Sequence, residues 1–159
     1  MRRVQGSADV RLLECVNPVK GKWRVRWDVS TADDGTVSYM EEEFSGKPDS
    51  ETVRQLIIGW MNGRIDETIL SGFVYDGHPV WLSQENQFNY KSAFDLAVQT
   101  QGGTLPVTFK FGTDDEPVYV KFETLEKLQD FYTKAVAFIQ QTLSDGWQRK
   151  DSVDFSPYI

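Results

Sequence analysis

The chain has 159 residues, 40% of them hydrophobic and 13% aromatic, and carries 17 Lys and Arg against 24 Asp and Glu for a net charge of −7. A chain of this size buries about two thirds of its extended surface and builds its own core, which argues against disorder, while the acidic balance argues against a nucleic-acid footprint of clustered cations. A single cysteine, Cys15, excludes an internal disulfide, and with the single histidine, His78, it cannot assemble a Cys/His zinc site.

No run approaches the roughly 18 apolar residues of a membrane span. Met1-Arg2-Arg3 is followed by polar Gln5-Gly6-Ser7 rather than by a signal-peptide stretch. The expectation is a protein of a reducing cytoplasm that inserts in no membrane.

In chain order, an apolar strand is expected from Val10 through Leu12, Leu13 and Cys15 to Val16, followed by a turn at Asn17-Pro18-Val19-Lys20-Gly21. Trp23, Val25, Trp27 and Val29 then alternate with Lys22, Arg24, Arg26 and Asp28, which predicts a half-buried strand. Asp33-Asp34-Gly35 turns the chain into a third strand from Thr36 to about Phe44. The three pair as an antiparallel meander in which Arg24 and Arg26 face carboxylates of Glu41, Glu42 and Glu43. Alternate strand residues point to opposite faces, so those glutamates form a solvated, salt-bridged face rather than a metal site.

Lys47-Pro48-Asp49-Ser50 predicts a helix start, and Val53, Leu56, Ile57, Trp60, Met61, Ile65 and Ile69 form its apolar stripe. Gly59 and Gly63 within that stripe suggest close packing or a bend, and Gly72 reads as its left-handed C-terminal glycine.

A hairpin with Asp76-Gly77 at its tip follows, pairing Tyr75 with His78 and Phe73 with Val80, with Pro79 removing a ladder donor. Ser83 caps a second helix running to about Thr100, with Tyr90, Phe94 and Ala97 inward. Leu105 to Phe111 and Val118 to Phe122 form a second hairpin around Gly112 to Pro117, and a third helix runs from about Thr124 to Arg149. Its expected core face is Leu125, Leu128, Tyr132, Ala135, Val136, Ile139, Leu143 and Trp147.

The fold class is therefore α+β: an N-terminal three-stranded antiparallel meander over residues 1–46, then a helix with hairpin-helix-hairpin-helix over 47–151, and a tail over 152–159 that is loose unless Phe155 and Tyr158 dock on a neighbouring chain. The whole is also compatible with one compact domain.

No catalytic or cofactor motif is present, so the reading is of a protein that is not an enzyme and uses neither cofactor nor metal. His78 has no nucleophile or carboxylate placed to partner it, and Cys15 reads as an inert strand thiol. Asp114-Asp115-Glu116 is a weak candidate cation loop without calcium-loop spacing. Gly102-Gly103 precedes a strand and cannot cradle a phosphate.

The aromatics exceed what the core requires, which points to a protein or self-interface with carbohydrate stacking as the second use. Candidate interface residues are Trp81 and Val74 on the outer face of the first hairpin, Phe131 and Phe138 flanking the stripe of the third helix, and Phe155 and Tyr158 in the tail.

The stretch Ile69-Leu-Ser-Gly-Phe73-Val-Tyr75-Asp-Gly77-His-Pro-Val-Trp81-Leu-Ser83 resembles a domain family of unknown function from tailed bacteriophages and prophages, whose members run a helix into a Gly-Phe-x-Tyr/Phe-x-Gly hairpin. The resemblance continues through Gln84-Glu-Asn86-Gln-Phe88-Asn-Tyr90, a second hairpin around Val118 and a long helix ending near Trp147-Gln-Arg149-Lys150, and covers about residues 66–151. The N-terminal meander is not part of that family and looks like short proteins of phages and mobile elements of gut bacteria.

Because the family's members occur in or beside tail fibres and fibre-assembly components, the resemblance implies a virion-associated structural protein, oligomeric and partnered by other phage structural or assembly proteins. The host cytoplasm and then the virion are the implied locations. A transient assembly chaperone or adaptor is the alternative, ahead of a carbohydrate-binding module. No active site carries over from the family.

Overall fold

The computed structural model describes residues 1–159. It is a mixed α+β chain with three α-helices and an N-terminal antiparallel sheet. It divides into two compact units, Met1–Trp60 with Ser152–Ile159, and Met61–Asp151. The division falls inside the first helix rather than between residues 46 and 47, and the tail belongs with the N-terminal sheet.

The first unit holds a sheet of four strands, not three: β1 (Arg2–Gly6), β2 (Leu13–Asn17), β3 (Lys22–Thr31) and β4 (Val37–Ser45), in the order β1-β4-β3-β2. The added strand, β1, pairs antiparallel with β4 from Arg2 opposite Glu41 to Gly6 opposite Val37. Its Arg-Arg-Val-Gln-Gly sequence has no apolar alternation, so only the free edge of β4 explains why it is extended.

On β3 the expected alternation is realised, with Val25 and Trp27 buried on one face and Arg24 and Arg26 opposite Glu43 and Glu41 on the other. The alternation breaks at Asp28, whose φ of 53° marks an irregularity in the β3–β4 ladder.

Helix α1 (Ser50–Ser71) opens as the capping logic demands, with the Thr52 N–H donating to Asp49 Oδ1 at 2.7 Å. Its Val53 and Ile57 are buried and Trp60 meets Trp27 edge-on at 6.1 Å, so the first turns of α1 cover the apolar sheet face. Gly59 and Gly63 meet nothing, since a Cβ at either would have no neighbour within 4 Å. Close packing is therefore not their role.

The second unit contains the rest of α1, the hairpin β5 (Phe73–Tyr75) and β6 (His78–Val80), α2 (Gln84–Gln99), the hairpin β7 (Val107–Gly112) and β8 (Pro117–Phe122), and α3 (Leu125–Asp151). Gly72 ends α1 without a left-handed backbone. A Cβ there would fall 2.6 Å from the Thr68 carbonyl oxygen and 3.2 Å from Phe138.

The β5–β6 register is the expected one, Phe73 with Val80 and Tyr75 with His78, and the turn residues Asp76 and Gly77 have φ of 49° and 80° as a type I′ turn requires. Helix α2 is capped by Ser83, whose hydroxyl accepts from the Asn86 N–H at 3.2 Å.

The core of this unit is aromatic and centres on Phe131, which is fully buried. Its ring lies 5.1 Å from Tyr75 and Tyr90, 5.2 Å from Phe111, 5.3 Å from Phe122, 5.8 Å from Phe109 and 6.3 Å from Phe73. The expected inward face of α3 is therefore rotated: Leu128, Phe131, Ala135 and Gly146 are buried, whereas Val136 and Trp147 are exposed. Gly146 is required by proximity, because a Cβ there would stand 2.3 Å from Ile65 Cδ1.

Candidate functional site

In the second unit, β6 and β7 run side by side without sharing a ladder, since each hairpin is a separate two-stranded sheet. Pro79 accounts for part of this. With a two-residue turn, Tyr75–His78 and Phe73–Val80 are the hydrogen-bonded pairs, so Pro79 opposite Val74 is aimed at the outer edge of β6. Contrary to expectation it removes no donor from the β5–β6 ladder; it removes one from the side that faces away.

Between the two hairpins and α2 lies an open groove of about 790 Å³, in the range of ligand-binding clefts. Its floor is apolar, built from buried Tyr90 of α2 and Phe109 and Phe111 of β7. Trp81, 52% exposed, stands at the rim. Polar groups come from Asn86 and Asn89 on α2, spaced by one helical turn, and from Thr108, Lys110 and Asp114 along and beyond β7.

Asn86 donates its side-chain N–H to the Trp81 carbonyl at 2.8 Å, which fixes the chain where it enters α2 and leaves the Asn86 side-chain oxygen to accept. Lys110 Nζ lies 3.7 Å from Asp114 Oδ1, and both side chains are solvated. Burial holds the Tyr90 phenol up at about 12, so it remains a neutral donor and acceptor.

The six candidate interface residues separate. Trp81 and Val74 are exposed, and Trp81 belongs to the groove. Phe131 is a correction, because it is the centre of the core and offers nothing to a partner. Phe138 is half-buried, 5.4 Å from Phe73.

Tyr158 is also corrected. It is buried, its hydroxyl donates to the Arg26 carbonyl at 2.8 Å, and burial pushes its phenol up to about 12. Phe155 is half-buried with the Arg54 guanidinium 5.2 Å above its ring. The tail thus docks on its own chain, through the short 3-10 helix Ser156–Tyr158.

Asp114, Asp115 and Glu116 are all exposed, and no three His, Cys, Asp or Glu side chains anywhere in the chain form a group that could hold a metal ion. Asn86, Asn89, Thr108 and Lys110 were missing from the sequence-based candidates. The only available signals were the i, i+3 spacing of the two asparagines and the outward alternation of Thr108 and Lys110.

The first unit holds a second polar cluster. Arg26 and Glu41 are buried side by side, with Arg26 Nε 2.9 Å from Glu41 Oε2 and Arg26 Nη1 2.7 Å from Glu14 Oε2 and 2.8 Å from the Arg11 carbonyl. Arg2 and Arg24 reach the same Glu41 at 3.3 and 3.5 Å, and Arg3 pairs with Asp28.

Burial works against both charges. The hydrogen bonds and charges of the partners outweigh it, so the Glu41 carboxyl titrates below its ordinary range and the Arg26 guanidinium above its own. The sheet face expected to be solvated is therefore buried at its centre. Every charge there has an opposite partner, which makes this a structural cluster rather than a free anion or cation site.

No protein-family model, curated protein or solved structure matches the chain. No helix is long and apolar enough to cross a membrane.

Proposed function

We propose that this is a non-enzymatic protein that works through a protein-protein surface on its second unit, as a virion-associated structural component of a tailed phage or prophage. The single observation that carries the interface is the groove beside Trp81, where an exposed indole stands over a floor of buried rings with amide side chains to one side. Aromatic anchors at the edge of an apolar depression supply much of the energy of protein interfaces, and Val74, 58% exposed, lies two residues before the turn of the same hairpin. The phage setting is supported by the Gly-Phe-x-Tyr hairpin resemblance over residues 66–151. The observed hairpin-helix-hairpin-helix order over Phe73–Asp151 agrees with the fold that the resemblance implies.

The test is a photo-cross-linking residue placed at position 81, with the same residue at position 19 as control. Val19 is 97% exposed in a turn of the first unit and lies outside the groove. In cells producing particles, cross-links to a particle protein that form at 81 and not at 19 support the reading. Equal cross-linking at both positions, or none at 81, overturns it. Mass spectrometry of purified particles separates a resident component from a transient assembly chaperone. Light scattering over a dilution series determines whether the protein is itself an oligomer.

A further inference from the structure

Helix α3 carries more apolar surface than its own unit covers. The core takes Leu128, Phe131, Ala135 and Gly146, while in the neighbouring row Val136 and Trp147 stay exposed, Trp147 at 54%, and Leu143 is half-buried. Together with the polar residues on the same side of the helix, this second row is regular. Gln129, Thr133, Val136, Gln140, Leu143 and Trp147 recur at alternating intervals of four and three, the spacing that runs a seam along one side of a helix for a second helix to lie against.

The seam spans about 27 Å at 1.5 Å per residue, and it holds no charge. The charged residues within that span, Asp130, Lys134 and Asp145, lie to its sides and are engaged within the chain, Lys134 with Asp130 at 2.8 Å and Asp145 with Gln141 at 2.7 Å. In a chain that is 26% charged and carries −7, two copies repel wherever their charges face each other. An uncharged strip is where they can meet.

The order of residues along the seam fixes how they meet. With two such helices side by side in the same direction, every layer matches: Val136 lies on Val136, Leu143 on Leu143 and Trp147 on Trp147, while the Gln140 amides donate to and accept from each other. Reversed about the middle of the seam, the three apolar residues fall on Gln140, Thr133 and Gln129 and are left against amides and a hydroxyl. A polar residue at one inner layer also selects the register. On the flank, the small side chains of Ala137 and Ser144 let a second helix come close.

We infer that two copies of this chain associate through the outer seam of α3, parallel and in register, with Val136, Leu143 and Trp147 as apolar layers and Gln140 as the polar one. None of these residues lines the groove beside Trp81, so the inference stands or falls apart from the interface proposed there.

The test follows the full chain by sedimentation velocity from about 1 μM to about 1 mM, because an interface with three apolar layers belongs at the weak end of the affinity range. The expected mass doubles across that range. Gln140→Glu sets two carboxylates against each other in the middle layer and raises the dissociation constant at least about tenfold, as does Trp147→Glu, whereas Gln148→Glu adds the same charge beside the seam and changes it less than about twofold. Gln140, Trp147 and Gln148 are all exposed, so the melting temperatures of these variants stay within a few degrees.

Direction is read separately. Gln129→Cys and Gln140→Cys, each made in a Cys15→Ser chain so that no native thiol competes, both cross-link to themselves on mild oxidation, because in-register layers bring equal positions within disulfide reach. Should a charged variant fail to fold, this cysteine pair tests the same seam on a chain that keeps its charge. A chain that stays monomeric over the whole range, a dimer that Gln140→Glu and Trp147→Glu leave intact, or cross-linking at 140 without cross-linking at 129 overturns the inference.

Discussion

In Met61–Asp151 the interior is a nest of rings around Phe131, whereas in the unit formed by Met1–Trp60 and Ser152–Ile159 one face of the sheet buries a guanidinium and a carboxylate at its centre. The ring nest depends on shape: each neighbour of Phe131 holds it at a centroid distance between 5.1 and 6.3 Å, and dispersion among close-packed rings changes little with pH or salt. The charged centre depends on balance. Arg26 and Glu41 are tolerable inside because Glu14, Arg2, Arg24 and the Arg11 carbonyl complete their hydrogen bonds and charges. Two halves of one chain thus have opposite sensitivities, one to lost volume and the other to a lost partner or a lost proton.

The largest expected effect tests the ring nest. Phe131→Ala should cost about 3 to 5 kcal/mol in urea unfolding, because the cavity is walled by rings that cannot collapse into it. A loss below about 1 kcal/mol would mean that the nest repacks freely.

Next comes the charge centre. Arg26→Met should cost about 3 kcal/mol by stranding Glu41, and the double change R26M, E41L should recover most of that loss, which no simple packing account of Arg26 explains. The same cluster sets the acid response. Because the Glu41 carboxyl is held below its ordinary value of 4.5 in the fold, its contribution is fully present above that value and is lost as the pH falls through the lower folded value. Protection of the β3 and β4 amides should therefore decline with acid in the native chain and lose that dependence in the double variant.

A smaller effect is expected at the tail. Tyr158→Phe deletes one buried hydrogen bond to the Arg26 carbonyl and should cost about 1 kcal/mol, read as faster exchange of the β3 amides. Smallest, and opposite in sign, Gly59→Ala and Gly63→Ala meet no neighbour and should each add up to about 1 kcal/mol through helix propensity.

What the sequence discloses follows the reach of each signal. The Asp76-Gly77 hairpin was readable to the residue because its turn demands two left-handed positions and these two supply them. The Ser83 cap and the strand alternation of β3, β7 and β8 are equally local.

Strand β1 was not readable, since Arg-Arg-Val-Gln-Gly is extended only because β4 offers it an edge. On α3, Leu128 and Ala135 belong to either of two adjacent stripes. Choosing Tyr132, Val136 and Trp147 over Phe131 and Phe138 needed the position of the ring nest, which four other elements assemble.

The groove has the same character. Trp81 stood out as a surplus aromatic, but Asn89, Lys110 and Asp114 become one site only when α2 and two hairpins meet. The tail aromatics looked free because the partner of Tyr158 is a backbone carbonyl 132 residues away, and a carbonyl has no signature in sequence.

That last bond also fixes an order of events during synthesis. All of Met61–Asp151 precedes Tyr158 in the chain, so on the ribosome the aromatic unit emerges whole while the sheet unit still lacks its closing piece. The four strands can zip early, but the hydroxyl that tethers Arg26 follows only after a loop closure of 132 residues. The sheet unit begins first and finishes second, and until Tyr158 has emerged it is the half exposed to proteases and to wrong pairings along its edges.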